Sequence, residues 1–229
     1  MEPSHIAVAD LSANVPTCDA LQPYRRRAFQ TVPRWDRLSA CQRVSMDIEF
    51  QNYKKDPAIW ADAKVKGKKV KHQHRIGHVT VINEHGEVVL DVFGAYPVEA
   101  GIEVSLPPPE FGVDWEDLKV ENGAVPGDIL EMWLEQIFTN RTVILHGGTG
   151  DRKAFYYRKD LLADDNPNGT SIIDTQDLYW WLMPCHGTPG LARCASIILG
   201  KSIQEVGHCP VEDAKTTMEL YLRHPLGMC

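Results

Sequence analysis

No apolar run in the chain approaches the roughly 18 residues that a membrane-spanning helix requires, so nothing in it reads as a bilayer-crossing helix. Cys-x-x-Cys pairs are missing as well. The six cysteines, Cys18, Cys41, Cys185, Cys194, Cys209 and Cys229, lie singly, which argues against a zinc ribbon and against a dense disulfide framework and predicts reduced, mostly buried thiols. Positive charge is in deficit. A formal net charge of −7 excludes a protein that coats nucleic acid through a broadly basic surface, so any polyanionic ligand has to be held by local basic groups and by bound metal. There is no glycine-rich phosphate loop ending in Gly-Lys-Ser/Thr, no Gly-x-Ser-x-Gly nucleophile elbow and no internal repeat. Residues 1–10 have neither the basic start nor the apolar core of a secretory signal, and an intracellular protein of the nucleus or cytoplasm, with no membrane partner, is expected.

What is present is an ordinary globular composition, 43% apolar and 24% charged over 229 residues, enough for one domain with a sizeable core. Residues 1–40 mix Pro, Ser and Asn with an Arg25-Arg26-Arg27 run and little periodicity; they read as an irregular N-terminal arm, the arginines most simply as a solvated charge run. The domain occupies residues 41–229. It opens with a strand over 44–50 and carries a basic insertion at about 51–75, whose Lys64, Lys66, Lys68, Lys69, Lys71 and Arg75 suit either a phosphate contact or a solvated loop. Apolar runs at 76–83 and 87–94 flank the turn Asn83-Glu84-His85-Gly86 and form a hairpin. A Pro-rich, acidic connection follows to residue 123, without a clear period.

From Pro126 the spacing of Ile129, Leu130, Trp133, Leu134, Ile137 and Phe138 predicts a helix with one apolar stripe. A short buried strand at 142–145 follows, parallel to the first; a helix starts at Asp151 after the glycine-rich run 146–150; and a further strand lies at 171–174. Residues 175–183 and 191–199 read as helical, and Pro210 opens a final helix that runs past Met218. The expected fold is therefore α/β, a mixed central sheet of three antiparallel strands followed by parallel ones, flanked by helices.

The chemistry centres on Met46-Asp47-Ile48-Glu49-Phe50. In a strand, alternate side chains face opposite sides, so Met46, Ile48 and Phe50 enter the core while Asp47 and Glu49 share the other face. Two adjacent carboxylates repel unless a divalent cation neutralises them, and hard oxygen ligands at this spacing suit Mg²⁺ or Mn²⁺. Taken alone, Asp-x-Glu also fits an ordinary half-exposed strand. Two further stretches change that reading: Asp151 at a strand exit, where α/β folds bind ligands, and His208 followed by Asp213 at the start of the last helix.

Asp47-Ile48-Glu49, then Val143-Ile144-Leu145-His146 with Asp151 five residues on, then His208-Cys209-Pro210-Val211-Glu212-Asp213-Ala214, resemble in order the three motifs of the DEDDh group of 3′→5′ exonucleases, which have the ribonuclease-H-like fold. Ile203-Gln204, Met218, Glu219, Leu220 and Tyr221 are similar to the branch of RNA exonucleases and the interferon-stimulated exonuclease. The resemblance implies metal-dependent removal of nucleoside 5′-monophosphates from single-stranded 3′ ends, RNA favoured, with two Mg²⁺ or Mn²⁺ ions held by Asp47, Glu49, Asp151 and Asp213. It makes His208 the general base, for which an imidazole with a pKa of about 6.5 is suited. It also places Phe50, Gln51 and His146 beside the terminal nucleotide, although the relatives commonly have Met-Val-Gly or Thr-Thr-Gly where this chain has Phe50-Gln51-Asn52, and His146 equally suits a hydrogen-bonded structural place. The alternative is a catalytically inactive module of the same fold that binds nucleic acid or docks a protein.

Overall fold

The computed structural model describes residues 32–38, 41–55, 73–183 and 187–228. Among the described residues, seven strands form one sheet: β1 (Arg43–Lys55), β2 (Gln73–Asn83), β3 (Val88–Ala95), β4 (Ile102–Ser105), β5 (Val125–Pro126), β6 (Thr142–Leu145) and β7 (Ser171–Asp174). Their order is β5-β3-β2-β1-β6-β7, with β4 added against β1. β1, β2 and β3 are antiparallel neighbours, while β6 runs parallel to β1 and β7 parallel to β6. The expected mixed sheet is found.

β1 and β2 reach further than the apolar pattern indicated, taking residues 51–55 and 73–75 from the segment read as insertion. The arginine run 25–27 and the five lysines at 64–71 lie outside the described residues. At the hairpin, Asn83 sets the turn. Its side chain accepts from the backbone N–H of His85 and Glu87 and donates to the Arg37 carbonyl and the Glu87 carboxylate, and Gly86 takes the positive φ of 78° that the turn needs.

Both edges of β1 are irregular at its middle. One of them pairs with β6 over residues 43–45 and with β4 over residues 52–55, which leaves residues 46–51 without a strand partner on that side among the described residues. On the other edge β2 carries one extra residue: Glu49 faces His78 and Phe50 faces Ile76, so Gly77 is the bulge. Only glycine fits there, because a Cβ on Gly77 would lie 2.8 Å from the Glu49 carbonyl oxygen.

Helix α1 (Gly127–Phe138) covers one face of the sheet, burying Leu130, Leu134, Ile137 and Phe138 against Val44, Met46, Ile48, Val79 and Val81. Helix α4 (Pro210–Arg223) covers the other, with Ala214 and Met218 against Ile82 and Ile144, and the Ser45 hydroxyl donates to the Ala214 carbonyl. Between them, α2 (Thr175–Leu178) and α3 (Leu191–Cys194) are single turns. The helix expected at 175–183 breaks into α2 and a 3₁₀ turn, and that at 191–199 continues α3 as a wider π turn. At Asp151 there is a 3₁₀ turn over Asp151–Lys153 in place of a helix.

Cys41 and Cys194 are buried free thiols, as expected, whereas Cys209 is disulfide-bonded and corrects the reading of reduced cysteines throughout. Among the described residues, no helix is long and apolar enough to cross a membrane.

Candidate active site

Alternation along β1 holds as predicted. Met46 and Ile48 are buried in the α1-side core, and Asp47 and Glu49 emerge on the α4 side. Pro210 at the first helical position starts α4, so that Asp213 falls in its first turn, 1% exposed. His208 lies just ahead, and its Nδ1 is 3.4 Å from Asp213 Oδ2 and 3.9 Å from Glu49 Oε1. Donor atoms of Glu49, His208 and Asp213 all lie within 4.8 Å of one another.

Asp151 arrives through the unpaired stretch of β1, where its carboxylate accepts the backbone N–H of Ile48, the residue between Asp47 and Glu49. The glycine run before it is tied down: Asp174, capping α2, accepts from the backbone N–H of Gly147 at 2.8 Å and of Gly148 at 2.9 Å. Asp151 and Asp213, far along the chain, thus come to a strand that carries Asp47 and Glu49.

Gathering these acids in a partly dry site disfavours their charge. Burial, then the Asp213, Glu49 and Asp151 charges, hold Asp47 well above the usual carboxylate range. Burial first, then Asp213 and Asp151, push Glu49 up to about 9. Burial raises Asp151 to about 7 against the lowering effect of the Ile48 N–H. Asp213 Oδ1 is buried with no hydrogen-bond partner. An orphaned carboxylate oxygen among mutually repelling acids is a donor set that fits a hard divalent cation, which satisfies the oxygen and compensates the charge together.

A second group with suitable donor atoms, Cys41, Glu84 and His85, lies at the hairpin end of β1. There burial raises the Cys41 thiol away from the thiolate, and Glu84 faces Arg43 at 3.7 Å, so this group reads as structural.

The three residues expected to touch a nucleotide fare differently. Phe50 is half-buried against the core, its ring at 4.9 Å from that of His74 and within 3.0 Å of where a Gly150 Cβ would stand. Gln51 is turned inward: its amide donates to the Ile76 and Gly94 carbonyls and accepts from Arg75, which leaves none of its polar atoms for a ribose. His146 has both ring nitrogens engaged, with the Thr175 hydroxyl at 2.9 Å and the Pro189 carbonyl at 3.1 Å, and takes the structural place.

Two residues of the site region had no place in the sequence pattern. Glu131 lies in the apolar stripe of α1, three residues before Leu134 and seven before Phe138, fully buried. Its carboxylate accepts the backbone N–H of Tyr156, Tyr157 and Arg158 at 2.7–2.8 Å and the Tyr96 hydroxyl at 3.0 Å, which anchors the chain leaving Asp151. An acid within a helix's apolar face was the available signal. Phe111, from the connection without a period, stacks on His208 with ring centres 4.6 Å apart, and the Glu110 carbonyl accepts the His208 backbone N–H at 2.8 Å. No sequence pattern pointed to it.

Comparison of the backbone finds the Pan2 catalytic unit of Neurospora crassa (protease and nuclease domain) at a TM-score of 0.56 and 19% identity over 94% of this chain. The Pan2 pseudoubiquitin hydrolase-RNA exonuclease module of Saccharomyces cerevisiae, solved with AAUUAA RNA, has a TM-score of 0.59 and 17% identity over 86% of this chain. The fold is ribonuclease-H-like. In sequence, the human interferon-stimulated 20 kDa exonuclease-like 2 is 26% identical over 158 residues, 66% of this chain. The resemblance to exonucleases read from the three motifs is thereby found again in an independent relative. The chain spans 40% of the human relative and about a third of each Pan2 chain, at 31% and 32%. No family model matches it.

Proposed function

We propose that this ribonuclease-H-like chain is a metal-dependent 3′→5′ exonuclease that removes nucleoside 5′-monophosphates from single-stranded ends, RNA in preference to DNA. The observation that carries this reading is the convergence of four carboxylates and one imidazole from three distant stretches, with one Asp213 oxygen left unpaired. Asp47, Glu49, Asp151 and Asp213 would hold two Mg²⁺ or Mn²⁺ ions, which supply charge neutralisation at the scissile phosphate and a more acidic bound water. His208, at the rim of the acidic cluster and half-exposed, accepts the proton of the attacking water. Phe111 fixes the plane of that ring, and Phe50, beside Gly150, offers an apolar surface for the last base. The preference for RNA is supported by the likeness to the yeast Pan2 RNA exonuclease module, which was solved with RNA.

A 5′-labelled oligonucleotide panel of RNA and DNA, single-stranded, duplex and 3′-blocked, under Mg²⁺ and Mn²⁺, tests the reading. A ladder shortening from the free 3′ end, abolished by EDTA, by Asp47→Ala and by Asp213→Ala with the fold retained, is the expected result. Unchanged digestion by either variant refutes the site, cutting of a closed circular strand refutes the exonuclease assignment, and binding without product establishes the inactive module instead.

A further inference from the structure

We propose that Gln204 is a positioning residue that selects the ring tautomer of His208, holding the Nδ1 lone pair toward the acidic cluster and the proton on Nε2. Gln204 sits in the loop between the π turn and α4 with φ at 60°, one of two non-glycine residues of positive φ among those described. That conformation is uncommon for a residue with a Cβ and is retained here where its backbone N–H meets Glu212 Oε2 at 3.3 Å and its side chain enters the site. Its amide nitrogen lies 2.9 Å from Asp213 Oδ2 and 3.3 Å from His208 Nδ1.

A carboxamide nitrogen carries two hydrogens and no usable lone pair, so both of its partners must accept. Turning the amide over would set its oxygen against the Asp213 oxygen at 2.9 Å, acceptor against acceptor, so the nitrogen belongs where it stands. A neutral imidazole that accepts at Nδ1 carries its hydrogen on Nε2. The remaining freedom of the ring is removed by the Phe111 stack and by the His208 N–H bond to the Glu110 carbonyl, an approach so close that a Cβ on Gly207 would stand 2.9 Å from the same oxygen. The accepting nitrogen is then the one on the cluster side of the ring, 3.4 Å from Asp213 and 3.9 Å from Glu49, and the attacking water takes the place of the Gln204 N–H at its single lone pair. The bridging amide also occupies Asp213 Oδ2, leaving Oδ1 as the oxygen without a partner.

The consequence for turnover rests on the nuclease reading; the tautomer does not. The test is long-range ¹H–¹⁵N correlation on the full chain labelled at histidine, in EDTA and in Mg²⁺, at a pH where the ring is neutral, with the His208 signals identified by their loss in His208→Asn. A pyridine-type Nδ1 with a pyrrole-type Nε2 in the wild type, giving way to a tautomer mixture in Gln204→Leu and accompanied by a kcat lowered roughly tenfold at unchanged KM, is expected. A proton on Nδ1 in the wild type, or an unchanged tautomer in a folded Gln204→Leu, overturns the proposal. The wild-type spectrum decides by itself if the variant does not fold. If the wild type digests no nucleic acid, the functional reading falls while the tautomer assignment still stands or falls on the spectrum.

Discussion

Raising the pH should destabilise the metal-free protein, and divalent cations should oppose it. Glu49 is pushed up to about 9 and Asp151 to about 7 in the folded chain, against about 4 for carboxylates in an unfolded one. Between pH 5 and 7 these two groups therefore hold two protons in the folded state that the unfolded state has released, and between pH 7 and 9 one; Asp47, also raised, acts in the same direction. Stability falls with pH wherever the folded state binds more protons, so this contribution is complete below about pH 4 and is lost as the pH rises through 7 and then 9. Each such proton changes stability by about 1.4 kcal/mol per pH unit, and about 1 kcal/mol moves the melting temperature of a domain of this size by about 2–4 °C. From pH 6 to 9 in EDTA the melting temperature should fall by on the order of 10 °C. Mg²⁺ or Mn²⁺ takes over the compensation of charge, so the gap between metal-loaded and metal-free curves should widen with pH. Glu49→Gln removes one proton from the balance and should flatten the upper half of the curve. Differential scanning fluorimetry at half-unit steps measures all three. A melting temperature that stays level or rises from pH 6 to 9 in EDTA, or that neither cation changes, refutes the reasoning.

Glu131→Ala should cost about 3 kcal/mol or more, because it strands three backbone N–H donors in the interior; a urea midpoint shift equivalent to less than about 1 kcal/mol would contradict the role given to that carboxylate. Phe111→Leu should keep the fold and lower kcat several-fold through a looser His208 ring, and an unaltered kcat would show that the stack is dispensable. Gly77→Ala should lose about 1–3 kcal/mol and impair turnover as well, since the backbone it displaces belongs to Glu49; circular dichroism melts alongside the oligonucleotide assay would separate the two effects.

The parts of the molecule that were legible in the sequence are those governed by local period. β6 and β7 fall where short apolar runs put them, α1 begins at Gly127 directly after Pro126, and α4 begins at Pro210 as the proline placement requires. The acids were legible for a related reason: strand alternation and a helix's first turn fix which way a side chain faces. Gln51 was misread because nothing in a strand pattern distinguishes an amide offered to a ligand from one spent on two neighbouring carbonyls. Nothing local shows how the glycine run 147–150 is held, because Asp174, more than twenty residues later, accepts two of its N–H groups. Phe111 and Gln204 depend on a loop docking onto another loop, which leaves no periodic trace. The π turn after Cys194 is likewise tertiary in origin, its five residues reading as plain helix.

The turn that delivers Asp151 does a second job. A strand in mid-sheet whose N–H groups lack a neighbour is an invitation for another chain to pair with it, and among the described residues β1 has such a gap over residues 46–51. By capping the Ile48 N–H, Asp151 plugs that opening. On the proposed function, damage to this turn should therefore surface as self-association of the purified protein together with inactivity, and a variant at Asp151 that stays monomeric in size-exclusion chromatography would contradict the first half.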